Sequence, residues 1–207
     1  MSKGRLEAFS DGVIAILITI LVLELRPPHG VGLDALQPLV PKLLTYLLSF
    51  VYLGIYWNNH HHMLHAAERV SGSVLWANLH LLFWLSLVPF VTGWMGENHA
   101  APIPTAGYGV VLLCAALAYT LLQSRIIAAH SGGKLARAVG GDAKGKLSIA
   151  LYAAAIPAAF VSSWISVALY VVVALVWLVP DRRIEAQLCL STRSFDARRL
   201  AEARRVE

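Results

Sequence analysis

Apolar residues run in long blocks separated by short polar punctuation, and the first four blocks predict helices at about 5–25, 39–60, 74–95 and 106–127. Each is close to the roughly 20 residues a helix needs to cross a hydrocarbon core of about 30 Å. From Lys146 to Val179 the apolar residues continue with only Ser162 and Ser163 as a polar break. That stretch is too long for one span and enough for two short ones, so it predicts a tight hairpin of helices at 146–161 and 164–179. Pro89 and Pro157 predict kinks in the third and fifth spans, which a bundle tolerates because neighbouring helices satisfy the freed carbonyls. Lys3 and Arg5 ahead of the first block imitate a secretion signal. Glu7 and Asp11 at its start, Glu24 at its end and the lack of a small-residue cleavage site before Pro27 instead mark a retained span.

Composition narrows the class. Of 207 residues 57% are hydrophobic and 14% charged, against about 25% charged in soluble globular chains, which excludes an ordinary soluble domain. Two cysteines, Cys114 in an apolar block and Cys189 in a basic tail, exclude a disulfide scaffold. The expected fold is therefore an all-α integral membrane protein with six transmembrane helices over residues 1–180, followed by a basic tail at 181–207. Of the 17 Lys and Arg residues, 15 lie at the head of span one, between spans two and three, in or at the edges of the segment joining four and five, and after Val179; only Arg26 and Lys42 lie at the opposite span ends. By the positive-inside rule both termini are cytoplasmic, and an even number of spans agrees. The net charge of +5 thus reads as topology rather than as affinity for nucleic acid. The Arg-rich tail suits an anionic lipid surface or a solvated arm, and it lacks the interleaved aromatics of a nucleic-acid binder.

Candidate chemistry concentrates at the head of span one, Arg-Leu-Glu-Ala-Phe-Ser-Asp-Gly from Arg5 to Gly12. Charges so near a membrane core face a protein interior or a partner, so Arg5 and Asp11 either pair or act as interfacial caps, with Arg5 reaching lipid phosphate. Farther on, Ile16, Ile20 and Leu23 recur at i, i+4 and i+7 with Thr19 beside them. Such a stripe is either a packing or lipid-facing surface or, if several copies converge on an axis, a set of hydrophobic constrictions with one hydroxyl ring. His60, His61, His62 and His65 end span two. His61 and His65 have a zinc-like i, i+4 spacing, but nothing nearby completes four ligands and no metal is expected. His61, Asn78 and His80 instead are expected to partner Arg5 and Asp11, since all lie at one membrane edge of the first three spans. The tryptophans at span ends fit an interfacial aromatic belt.

The run from Arg5 to Leu25 resembles the signature of the prokaryotic transmembrane protein 175 family of potassium channels, whose Arg-x-x-x-Phe-Ser-Asp motif is matched at Arg5, Phe9, Ser10 and Asp11. The likeness extends to the Tyr-Trp-Asn-Asn-His-His end of span two and to Asn-Leu-His-Leu-Leu-Phe-Trp in span three, and covers the rest in hydropathy only. The resemblance implies a homotetramer whose first span lines the pore. It further implies a hydrophobic constriction at Ile16, Ile20 and Leu23, a Thr19 layer contributing to potassium preference, and a polar network around Phe9, Ser10 and Asp11. The expected function is a potassium-permeable channel of modest selectivity in a prokaryotic plasma membrane, with potassium as the permeant ion, no cofactor, and the lipid membrane and further copies of itself as partners. The alternatives are a proton-coupled or solute secondary transporter, which calls for internal repeats and a mid-membrane ionisable residue, and a membrane enzyme, which calls for a nucleophile with a base or a metal. Neither requirement is visible in the sequence.

Overall fold

A computed structural model describes residues 2–28, 30–65, 67, 70–129 and 142–178, and every regular element among them is helical. Helix α1 (Lys3–Leu23) is followed by a 3₁₀ turn (Leu33–Leu39) that runs directly into α2 (Val40–His65). Next come α3 (Gly72–Ser86), α4 (Val88–Glu97), α5 (Pro102–Ala128), α6 (Ala143–Ala158) and α7 (Ser163–Leu178). Lys3–Leu23, Leu33–His65, Gly72–Glu97 and Pro102–Ala128 are long and apolar enough to cross a membrane, and Ser163–Leu178 is a shorter apolar helix. The basic tail at 181–207, and with it Cys189, His29, Glu68, Arg69 and His130, lies outside the described residues.

Local chemistry sets the boundaries. Pro89 has no N–H to give the Leu85 carbonyl, so the third span breaks at Leu87, whose N–H turns to Trp84 O at 3.2 Å before α4 begins. The expected kink is thus a one-residue interruption between two helices. Pro157 does not bend the middle of its helix, because it sits in the last turn of α6, and residues 159–162 form the reversal. The fifth and sixth elements therefore run 143–158 and 163–178, a few residues earlier than expected. At 1.5 Å per residue each spans about 24 Å, so neither alone covers a full hydrocarbon thickness. Ser166 ties them by donating to Ala155 O at 2.6 Å. Between α4 and α5 the chain turns through left-handed His99 (φ 49°) and Ala100 (φ 55°), closing with Ala100 N–H on Met95 O at 3.0 Å.

Helix α5 is the hub, packed on α3, α4, α6 and α7, whereas α1 rests chiefly on α2, α3 and α4. The interior between α2, α4, α5 and α7 contains a hydroxyl relay. Thr92 Oγ1 donates to Val88 O at 2.7 Å. With its single hydrogen committed there, it accepts from Ser49 Oγ at 2.6 Å, and Ser49 accepts from Tyr108 Oη at 2.9 Å. Tyr52 Oη donates to Tyr170 O at 2.6 Å and Tyr170 Oη to Thr105 O at 3.0 Å. Gly109 lets the Tyr170 ring press against α5, since a methyl group there would collide with the phenol oxygen and lie 3.1 Å from Cζ.

Candidate functional site

Helix α1 has two unlike faces. Leu6, Ser10, Ile14, Leu17 and Leu21 are buried against the rest of the subunit. Ile16 (58% exposed), Ile20 (37%), Leu23 (74%) and Thr19 lie uncovered on the other side, centred about 140° away at 100° per residue. Gly12 opens the same side, with nothing near the position a Cβ would take. Thr19 Oγ1 donates to Ile16 O at 2.8 Å, which leaves the oxygen lone pairs as the hydroxyl's remaining hydrogen-bonding capacity. Leu17, one step along the chain from Ile16, is 6% exposed and belongs to the packed face.

Below this stripe the buried face carries a polar relay. Asn78 Nδ2 on α3 donates to Ser10 Oγ at 2.9 Å, and Ser10 donates to Leu6 O at 2.9 Å. The Asn78 carbonyl oxygen then faces His60 Nε2 on α2 at 2.7 Å, so Nε2 must be the protonated ring nitrogen in that orientation of the amide. His60 is fully buried, and its Nδ1, like Glu7 Oε1, has no hydrogen-bond partner among the described residues. Beside the relay Asp11 Oδ1 accepts from Trp57 Nε1 at 3.0 Å, and the Trp57 ring stacks on His61, which stacks on His65.

Several of these partners differ from the sequence expectation. Arg5 and Asp11 do not meet within one subunit: six residues apart on a helix, they are rotated about 120° from one another, and the structure gives Asp11 to Trp57. His80 Nε2 accepts from Trp84 Nε1 at 2.9 Å and belongs to an exposed pair on α3. His60, not His61, is the histidine of the relay; His61 is exposed. Phe9 is 48% exposed and makes no polar contact. Glu24 lies against Gly93 of α4, on the packed side of α1, and not on the stripe. Sequence reasoning passed over His60 and Trp57, although Ser49, Tyr52, Tyr56 and His60 continue one buried stripe of α2 at i, i+3, i+7 and i+11. Among the described residues no three His, Cys, Asp or Glu side chains gather as metal ligands.

Fold and site together define a multi-pass helical membrane protein whose first helix is anchored by one face and open on the other. The comparisons place that class. Residues 5–89 match the family model described as endosomal/lysosomal potassium channel TMEM175. A protein named as a potassium channel from a Chryseobacterium species is 51% identical over 189 residues, covering 91% of this chain and 98% of that protein. The crystal structure of a lysosomal potassium-selective channel TMEM175 homolog from Chamaesiphon minutus superposes with a TM-score of 0.74 at 31% identity, covering 85% of this chain and 96% of that one. The human protein named endosomal/lysosomal proton channel TMEM175 is 34% identical over 96 residues, 40% of this chain and 19% of its own length. The chain belongs to the TMEM175 family of ion channels and is not an enzyme.

Proposed function

We propose that four copies of this chain assemble around an axis lined by α1 and conduct potassium in preference to sodium. The carrying observation is the uncovered Ile16–Thr19–Ile20–Leu23 stripe on a helix whose opposite face is fixed to α2, α3 and α4. Fourfold convergence turns it into apolar rings at Ile16, Ile20 and Leu23 with a hydroxyl ring at Thr19. An apolar ring excludes ions by the cost of stripping their water and closes by dewetting. Sodium holds its water more tightly than potassium, so the sign favours potassium, and with no carbonyl cage in the lining the preference is modest. The Thr19 lone pairs offer the one polar layer within the stripe, and no cofactor is required.

The motif network serves this arrangement by fixing the azimuth of α1: Ser10 through Asn78 and His60, Asp11 through Trp57. The charge distribution supports a prokaryotic plasma-membrane location with both termini cytoplasmic. A secondary transporter is the weaker reading. The break in a long span at Leu87 is flanked by Leu85, Val88 and Val91 and carries no ionisable group for a coupled ion.

Flux from liposomes under separate potassium and sodium gradients tests the proposal. Potassium-driven uptake exceeding sodium-driven uptake is expected, and uptake that saturates and requires a proton gradient would overturn it. Labelling of cysteines placed at Glu97 and Asp142 tests orientation: an impermeant external reagent should reach position 97 and not 142.

A further inference from the structure

We infer that Arg5 forms a cationic ring at the cytoplasmic mouth of the pore, where it lowers the local potassium concentration and so limits outward current. This rests on the tetrameric reading above. Arg5 stands 11 residues before Ile16, which puts it within about 20° of the same azimuth and roughly 16 Å farther along the axis. It is exposed, and among the described residues no acid pairs with it. The two acids in the first half of its own helix are turned elsewhere. Glu7 is on the packed side of α1, 3.9 Å from Lys3, and Asp11 accepts from Trp57. The motif's arginine is therefore separated from the motif's aspartate by the helix itself, and the one cation on the stripe sits at its inner end.

Four guanidiniums around an opening, with no acid paired to them among the described residues, repel cations approaching from that side. A potential of about one thermal unit changes local cation concentration, and with it the current, about two- to threefold. Ions entering from the opposite end pass the stripe first and reach Arg5 only on leaving. The mouth should therefore rectify, passing inward current more readily than outward, and the asymmetry should fade with salt as the screening length falls from about 30 Å at 0.01 M to about 3 Å at 1 M.

The test is single-channel recording in neutral phosphatidylcholine bilayers with symmetrical potassium at both salt concentrations. The unsubstituted channel should rectify at low salt and lose that asymmetry at high salt. Arg5→Gln should raise outward current about two- to threefold at low salt and hardly at all at 1 M, while Arg5→Lys should keep the native behaviour. Rectification indifferent to salt in the unsubstituted protein overturns the proposal without any variant. So does an Arg5→Gln effect of equal size at both concentrations, because a structural or lipid-anchoring role would change current without regard to screening. Ile16→Asn run alongside separates the two readings. If it alters conductance while Arg5 substitutions do not, only the ring is wrong; if Ile16→Asn also leaves conductance unchanged, the pore assignment itself fails.

Discussion

Two buried relays in this subunit have the same form and different duties. In one, Tyr108 donates to Ser49, Ser49 to Thr92 and Thr92 to Val88 O; in the other, His60 donates to Asn78, Asn78 to Ser10 and Ser10 to Leu6 O. Each crosses three helices and ends on a carbonyl, as buried polar groups without water must. The hydroxyl relay links α5, α2 and α4, with neutral groups that satisfy one another. The second reaches α1, starts from a histidine with one ring nitrogen unpartnered among the described residues, and runs past Glu7, whose Oε1 accepts no hydrogen bond among them and lies 3.9 Å from Lys3. The first holds a scaffold together; the second holds α1, the helix whose far side carries the Ile16–Leu23 stripe. Damage to the first should therefore cost stability alone, and damage to the second should cost stability and alter conduction.

The largest expected effect is Asn78→Leu. It strands a protonated His60 nitrogen and the Ser10 hydroxyl's acceptor, each buried group costing about 1–3 kcal/mol unsatisfied. Thermal unfolding in detergent should fall by several degrees, and the surviving channels should show altered potassium-to-sodium flux because α1 is free to rotate. Unchanged flux per folded channel would reduce the relay to a packing device. On the scaffold side, Gly109→Ala drives a methyl group into the Tyr170 ring. A rigid aromatic yields poorly, so overpacking should cost about 1–3 kcal/mol, with selectivity among folded channels unchanged. Tyr108→Phe is milder still. Ser49 keeps Thr92 as a partner and only one interhelical bond is lost, about 0.6 kcal/mol by the average for such bonds in membranes, seen as a small drop in melting temperature and no change in flux.

The sequence makes the helical blocks readable because hydrocarbon thickness imposes a length that few other constraints share; the first run coincides with α1 to within a few residues, whereas the third is split at Leu87 into α3 and α4. Register within a helix is harder to read. On α2 the four clustered histidines offer no hydrophobic contrast, so only the continuing Tyr52–Tyr56 spacing separates His60 from His61. Of the two alternatives for Arg5 and Asp11, pairing within one helix is disfavoured by the rotation that a six-residue separation already contains, and Asp11 accepts from Trp57. The hydroxyl relay was hidden for a different reason: Ser49, Thr92 and Tyr108 come from three helices, and nothing local to any one of them says where the others lie.

The smallest effects on stability, and the sharpest on conduction, belong to the open face of α1. Ile16→Ala should leave the fold nearly untouched because the side chain is 58% exposed in the subunit, whereas Ile14→Ala, at 0% exposure, should cost about 2–5 kcal/mol. Leu17 is no neutral control for Ile16, being buried itself; Val22, 48% exposed and rotated well off the stripe, serves better. Flux measured on these three should rise and lose potassium preference for Ile16→Ala, stay native for Val22→Ala, and follow protein yield for Ile14→Ala. Thr19→Val then separates sieving from recognition. It preserves side-chain volume, deletes the lone pairs, and gives up only a bond to the helix's own Ile16 carbonyl. A polar contact worth about 0.5–1.5 kcal/mol corresponds to a loss of potassium preference of up to about tenfold with little rise in total current. If Thr19→Val instead raises current as Ile16→Ala does, the hydroxyl layer is merely part of the constriction, and discrimination rests on the cost of dehydration at the apolar rings alone.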